Sequence, residues 1–166
     1  MKKPSKITSI KAKKNKWLCW PGFKYCMLFG TLYARKESVL EEINKTDGID
    51  SKDENHEMIH IKQAVSVKDS WLRFYFLYLC MWIWNIPLLF VNSHAPYKFI
   101  PFELEAYGNE NDMNYLSGKD RCEEWRMYRK LTMKEKRMFA KMYYKERRCD
   151  FQSLVANVIR PYLRSK

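Results

Sequence analysis

The chain has 166 residues, so a single compact domain is the most that it can form. Its 31 lysines and arginines exceed its 19 acidic residues and give a net charge of +12, which favours an anionic partner such as RNA, anionic lipid or an acidic protein surface. Five glycines and six prolines are too few for a turn-rich β-sandwich, a β-barrel or a nucleotide-binding fold. We therefore expect a mainly α-helical protein with little or no sheet.

The first two predicted regions are a basic N-terminal tail, residues 1–16, and an aromatic and polar region, residues 17–73. The tail has seven lysines and no acidic residue, so it is either solvated or lies on phosphate or anionic head groups. The apolar start of the second region is broken by Pro21-Gly22 and is too short to span a bilayer. The five cysteines show no C-x-x-C spacing, and we expect them to be mostly reduced structural thiols.

A short motif lies inside the second region, where His56, Glu57 and His60 spell H-E-x-x-H. On a helix, this spacing places two histidines on one face as zinc ligands and a glutamate beside them as the general base of a metalloprotease. The stretch could equally be extended. A third ligand is also needed, and Glu103 and Glu105 would lie across a membrane if the next segment spans it. The sequence therefore predicts no metal site, no cofactor and no catalytic residue, with His56 and His60 kept only as candidate ligands.

The next segment, residues 74–91, contains 18 residues without a charge, which is the length expected of a membrane-spanning helix. The alternative is a buried helix of a soluble domain, but the rest of the chain is too highly charged to enclose it. We therefore predict a single transmembrane helix. The residues that define this span are Phe74, Leu77, Trp82, Trp84, Asn85, Pro87 and Val91.

Two regions follow the predicted span. Residues 92–118 contain Pro96 and Pro101 and are predicted to be extended and irregular. Residues 119–166 are predicted to form a small, basic helical region. Within it, Thr132 and Glu135 have the spacing of a capping box, Asp150 is suited to cap a further helix, and Pro161 is expected to end that helix.

The C-terminal region carries a run of cations with interleaved aromatic residues. Such a run is either a solvated helix face or a surface for RNA, anionic lipid or an acidic subunit. The residues predicted to contact an anionic partner are Arg126, Arg129, Lys130, Lys134, Arg137, Lys141, Lys145, Arg147 and Arg148.

These features together predict a non-enzymatic, single-pass structural subunit of a large membrane complex, with a respiratory or ATP synthase complex of the mitochondrial inner membrane as its setting. Its partners would be other subunits and membrane lipids, with no small-molecule substrate. The alternative is an RNA-binding structural protein of an organellar ribosome. A further alternative is a zinc metalloprotease that uses His56, Glu57 and His60.

Overall fold

The structure is a computed structural model that describes residues 11–15, 25–29, 31–34, 36–38, 51–147 and 149–166. The described chain is mainly helical, as expected. Three short strands come first: β1 (Lys11–Lys14), β2 (Tyr25–Leu28) and β3 (Thr31–Ala34). The helices are α1 (Ser51–Ser66), α2 (Trp71–Trp84), α3 (Ala95–Lys98), α4 (Pro101–Asn109), α5 (Trp125–Tyr128), α6 (Met133–Lys141), α7 (Phe151–Leu154) and α8 (Arg160–Arg164). A 3-10 helix follows α2 (Ile86–Phe90), and π-helical turns follow α6 (Met142–Glu146) and α7 (Val155–Ile159).

The strands form one small sheet in the order β1-β3-β2, with β1 parallel and β2 antiparallel to β3. The sheet is attached to α2, because the Phe29 N–H donates to the Tyr75 hydroxyl at 3.0 Å and their ring centroids are 5.0 Å apart. Most of the predicted basic tail lies outside the described residues, as do residues 17–24 of the aromatic segment. Cys80, Cys122 and Cys149 are free thiols, as expected.

The prediction of a transmembrane helix is wrong. In the part of the chain that the structure describes, no helix is both long enough and apolar enough to cross a membrane. Helix α2 has 14 residues and so covers about 21 Å, whereas a bilayer core is about 30 Å thick. It ends at Trp84 with Asn85 as its C-cap, and Pro87 lies in the first turn of the separate 3-10 helix that begins at Ile86. The single-pass inner-membrane localisation and the membrane assignment are therefore wrong as well.

The residues of the predicted span do not share one environment. Phe74 and Asn85 are buried, while Leu77, Pro87 and Val91 are partly buried. Trp82 and Trp84 are exposed, together with other large apolar side chains of α2 and the 3-10 helix. The segment thus packs one face into the core and leaves a second apolar face exposed.

The predicted helix caps of the C-terminal half are confirmed, whereas the predictions for its prolines are wrong. The Thr132–Glu135 capping box begins α6, and the Asp150 carboxylate accepts from the Ser153 N–H at the start of α7, so both predictions are confirmed. Pro161 does not end a helix but is the second residue of α8, which directly continues the π-helical turn of Val155–Ile159. Pro101 begins α4, inside the stretch that was expected to be extended.

Two large clusters of apolar side chains hold the described helices together. The first packs α1 and α2 against α4 and α5, through Ile61, Phe74, Phe102 and Trp125. The second packs the 3-10 helix against the C-terminal helices, through Leu88, Phe99, Tyr128, Phe139, Leu154 and Ile159. Helix α4 contributes to both clusters, and a smaller third cluster packs Ile59 of α1 against Ala106 of α4.

Candidate metal centre

Two histidines lie one turn apart on the same face of α1. His56 and His60 pack edge to face, with ring centroids 4.9 Å apart. Helix α1 begins before the motif, and Asp53 and Glu54 in its first turn favour the helix through their charge at its N-terminal end. The motif is therefore helical throughout, and the alternative of an extended stretch is wrong.

Helix α4 brings a carboxylate to these two rings. The Glu103 Oε1 atom lies 3.2 Å from the Nε2 atom of His60, and its Oε2 atom lies 3.5 Å from the Nε2 atom of His56. The three side chains can offer ligand atoms that all lie within 4.8 Å of one another. Glu103 is 1% exposed, and both histidines are buried. The carboxylate that the predicted membrane would have kept away from His56 is therefore beside it.

Helix α1 is fastened to α4 on either side of the histidines. On one side, the Asn55 amide donates to the main-chain oxygens of Asn109 and Glu110 at 3.1 and 3.0 Å. On the other side, the Gln63 amide donates to the Phe102 main-chain oxygen at 3.0 Å. These buried hydrogen bonds set the register in which Glu103 faces both rings.

The second nitrogen of each histidine is also bonded. The His56 Nδ1 atom lies 2.9 Å from the Glu110 carboxylate, and the His60 Nδ1 atom lies 2.8 Å from the Gln63 Oε1 atom. Both partners are acceptors, and the Gln63 amide group is already used as a donor. Each Nδ1 therefore donates a proton, and a neutral ring then presents a free lone pair on Nε2. Metal-ligating histidines are commonly oriented in this way.

The charges of His56, His60 and Glu103 shift one another's pKa values. Burial alone would lower the pKa of His56, but Glu103 and Glu110 outweigh it and raise that pKa to about 10. A similar balance raises the pKa of His60. Burial would raise the pKa of Glu103, yet the charge of His60 and the hydrogen bonds from both rings lower it well below its usual range. The carboxylates around both rings thus favour the imidazolium forms of His56 and His60.

Two further side chains adjoin this cluster. Glu57 is partly exposed on α1, and burial raises its pKa despite the nearby charges of His60 and His56. The Tyr78 hydroxyl donates to the Glu103 Oε1 atom at 2.8 Å. Burial and the Glu103 charge raise the pKa of Tyr78 well above its usual value, so its hydroxyl stays protonated and acts as a donor.

No protein-family model matches the chain, and comparisons with curated proteins and with solved structures gave no match. The geometry of the cluster is therefore the basis for any functional proposal.

The predicted anionic-partner residues that the structure describes lie on α5, on the link between α5 and α6, on α6 and in the segment after α6. Two of the interleaved aromatic residues, Tyr128 and Phe139, are in the core and cannot stack on bases. Contact of this surface with RNA, lipid or an acidic subunit stays a prediction. Arg148 lies outside the described residues, and the exposed members are Arg126, Arg129, Lys130, Lys134, Arg137, Lys141, Lys145 and Arg147.

Sequence reasoning found His56 and His60 but missed most of what surrounds them. Glu103 was considered and then discarded, while Glu110, Gln63 and Tyr78 were not identified. One signal for Glu103 was present, since Pro101 is suited to the first turn of a helix that would carry Glu103. The partners of the Nδ1 atoms depend on how α1 packs on α4 and leave no sequence pattern.

Proposed function

We propose that the protein is a zinc-dependent hydrolase that cleaves peptide bonds. The observation that carries the proposal is the convergence of His56, His60 and Glu103, with an H-E-x-x-H motif on one helix. This proposal replaces the expected non-enzymatic membrane subunit, whose main warrant was the predicted span. It takes up the metalloprotease alternative that the motif suggested.

The side chains present fit a zinc ion. Two imidazole nitrogens and one carboxylate oxygen are a recognised ligand set of catalytic zinc, which leaves a further position open. The Glu103 Oε2 atom is buried and makes no well-formed hydrogen bond, only the 3.5 Å ion-pair contact with the His56 Nε2 atom, so a cation there would give this acceptor a closer partner. The Nδ1 partners of both histidines supply the outer support that a metal site needs.

When bound, zinc would supply a Lewis acid that polarises a carbonyl and makes water more acidic. Glu57 would act as the general base, taking a proton from the attacking water and passing it to the leaving amine. Its raised pKa brings it closer to neutral pH, where a proton acceptor of this kind works best. Tyr78 would hold the Glu103 carboxylate in position through its hydrogen bond.

The experiment uses the purified full chain. Zinc content is measured by elemental analysis, and cleavage of an unbiased peptide mixture is followed by mass spectrometry. We expect one zinc per chain and metal-dependent cleavage. Glu57→Gln should keep the zinc and lose about 10²- to 10⁴-fold in rate, while His60→Ala should lose the zinc. His94→Ala is the matched control, because His94 is exposed and is not part of the candidate ligand set.

Two results would reject the proposal. Zinc content well below one per chain, unchanged by His60→Ala, would mean that the cluster is only an ion-pair network. Stoichiometric zinc with no cleavage of any peptide would mean that the metal site is structural, and the peptidase function would then be wrong.

A further inference from the structure

An open groove with a volume of about 550 Å³ lies between α2 and the turn that leads into α6. Leu77, Met81 and Trp84 of α2 form one apolar part of its lining, and Leu131 and Met133 add to it. The three candidate metal ligands are not among the lining residues, so the groove is separate from the candidate metal centre. Its volume is in the range of small-ligand sites.

Three cationic side chains line the same groove. Arg129 and Lys130 are exposed, whereas Lys136 is only 3% exposed. Lysine is rarely buried without an acidic partner, because removing its charge from water is unfavourable. In the part of the chain that the structure describes, the Lys136 Nζ atom has no carboxylate within ion-pair distance, and it donates to the Asn85 Oδ1 atom at 2.7 Å.

The neighbouring groups that the structure describes do not neutralise the Lys136 ammonium. Asn85 is fixed as an acceptor, because its amide group donates to the Pro96 main-chain oxygen at 3.0 Å. Glu135, the adjacent residue in the chain, is bonded instead to Thr132, Tyr162 and Lys166. Desolvation accordingly lowers the pKa of Lys136 to about 8. A ligand with a negative charge would supply the missing counter-charge.

We propose that this groove binds a single-chain amphiphile with an anionic head, such as a fatty-acid carboxylate. The head would pair with Lys136, Arg129 and Lys130, and the chain would cover the apolar side chains of α2. A small inorganic anion would leave the apolar lining in water, and a neutral or cationic amphiphile would leave Lys136 without a counter-ion. Charge and apolar surface together therefore select this ligand class.

Calorimetry with the full chain tests the proposal, using dodecanoate below its critical micelle concentration. We expect one site for dodecanoate and no binding of dodecyltrimethylammonium or acetate. Lys136→Met keeps the length and removes the charge, so it should weaken dodecanoate binding about 10- to 100-fold. Lys134→Met is the matched control, since Lys134 is exposed on the same helix and does not line the groove. If Lys136→Met does not fold, Arg129→Gln at the exposed end should still weaken binding several-fold.

Several outcomes would overturn the proposal. Equal binding of the anionic and cationic amphiphiles would show that charge does not select the ligand, and equal binding of acetate would show that the apolar lining plays no part. An unchanged dissociation constant for Lys136→Met would remove the residue on which the argument rests. Binding to vesicles of phosphatidylglycerol but not to monomeric dodecanoate would indicate a membrane surface rather than a ligand site.

Discussion

Glu105 joins three parts of the fold through one buried carboxylate. It accepts hydrogen bonds from Gln63 Nε2 at 2.8 Å and from the Tyr115 hydroxyl at 2.8 Å. It also accepts from the main-chain N–H groups of Glu124 and Trp125 at 2.9 and 3.1 Å. These two N–H groups belong to the start of α5, where a helix has no partners of its own for them. The carboxylate thus caps α5 and ties it to α1.

Glu105→Ala would leave these four donors without their acceptor. A buried donor that loses its acceptor costs roughly 1 to 3 kcal/mol. The bonds from Gln63 and Trp125 are buried and should carry that cost in full, whereas water can reach the two partly buried ones. Burial raises the pKa of Glu105 despite its hydrogen bonds, which means that burying this charge is itself unfavourable. Removing the carboxylate therefore relieves that desolvation and offsets part of the stability lost with the hydrogen bonds. We expect a loss of about 4 kcal/mol, a large share of the 5 to 15 kcal/mol typical of a folded domain.

Urea unfolding followed by circular dichroism measures this loss. With a slope of about 2 kcal/mol per molar urea, the midpoint should fall by about 2 M. Glu123→Ala is the control, because Glu123 makes surface ion pairs with Arg121 and Arg126 and should cost less than about 1 kcal/mol. A loss below about 1 kcal/mol for Glu105→Ala would refute the reasoning and show that water replaces the carboxylate.

Two further predictions concern single side chains. The pKa of Lys136 is about 8 in the folded state and 10.5 in the unfolded state. Between these two pH values the unfolded state binds more protons than the folded state, so the free energy of unfolding rises with pH. Relative to Lys136→Met, the ligand-free protein should gain about 2 kcal/mol in unfolding free energy between pH 7 and 9.5, and a flat difference would contradict the assigned burial. Tyr78→Phe removes the hydrogen bond to Glu103 and should weaken zinc binding about 10- to 100-fold, as measured by competition with a chelator. The control Tyr162→Phe should leave zinc affinity unchanged. Equal zinc affinities of the two variants would disprove this role of Tyr78.

Signals that act within one helical turn were interpreted correctly from the sequence. The Thr132–Glu135 box and the Asp150 cap depend on side chains three residues from the N–H groups that they bind. The same local reasoning misplaced Pro101 and Pro161, because a proline that ends one helix and a proline that begins one look alike without the neighbouring packing.

The predicted span shows where composition misleads. An uncharged run of 18 residues meets a length criterion for a membrane helix, but that criterion ignores where the helix ends. Asn85 and Pro87 were treated as tolerable defects, yet they mark the end of α2 and the start of the 3-10 helix. The buried Asn85 side chain also has polar partners in Pro96 and Lys136, both remote in the sequence. Tertiary contacts of this kind decide the outcome and have no local signature.

The predicted span also decided how the H-E-x-x-H motif was interpreted. The motif was set aside because Glu103 and His56 were placed on opposite sides of a hydrocarbon layer. Once α2 is a 14-residue helix within the fold, the chain returns through α4 and places Glu103 against α1. Glu103 lies 43 positions after His60, a distance along the chain that carries no information about their separation in space. Only the packing of α4 on α1 makes the carboxylate a candidate ligand, so a motif of this kind is best judged after its third ligand has been located in the fold.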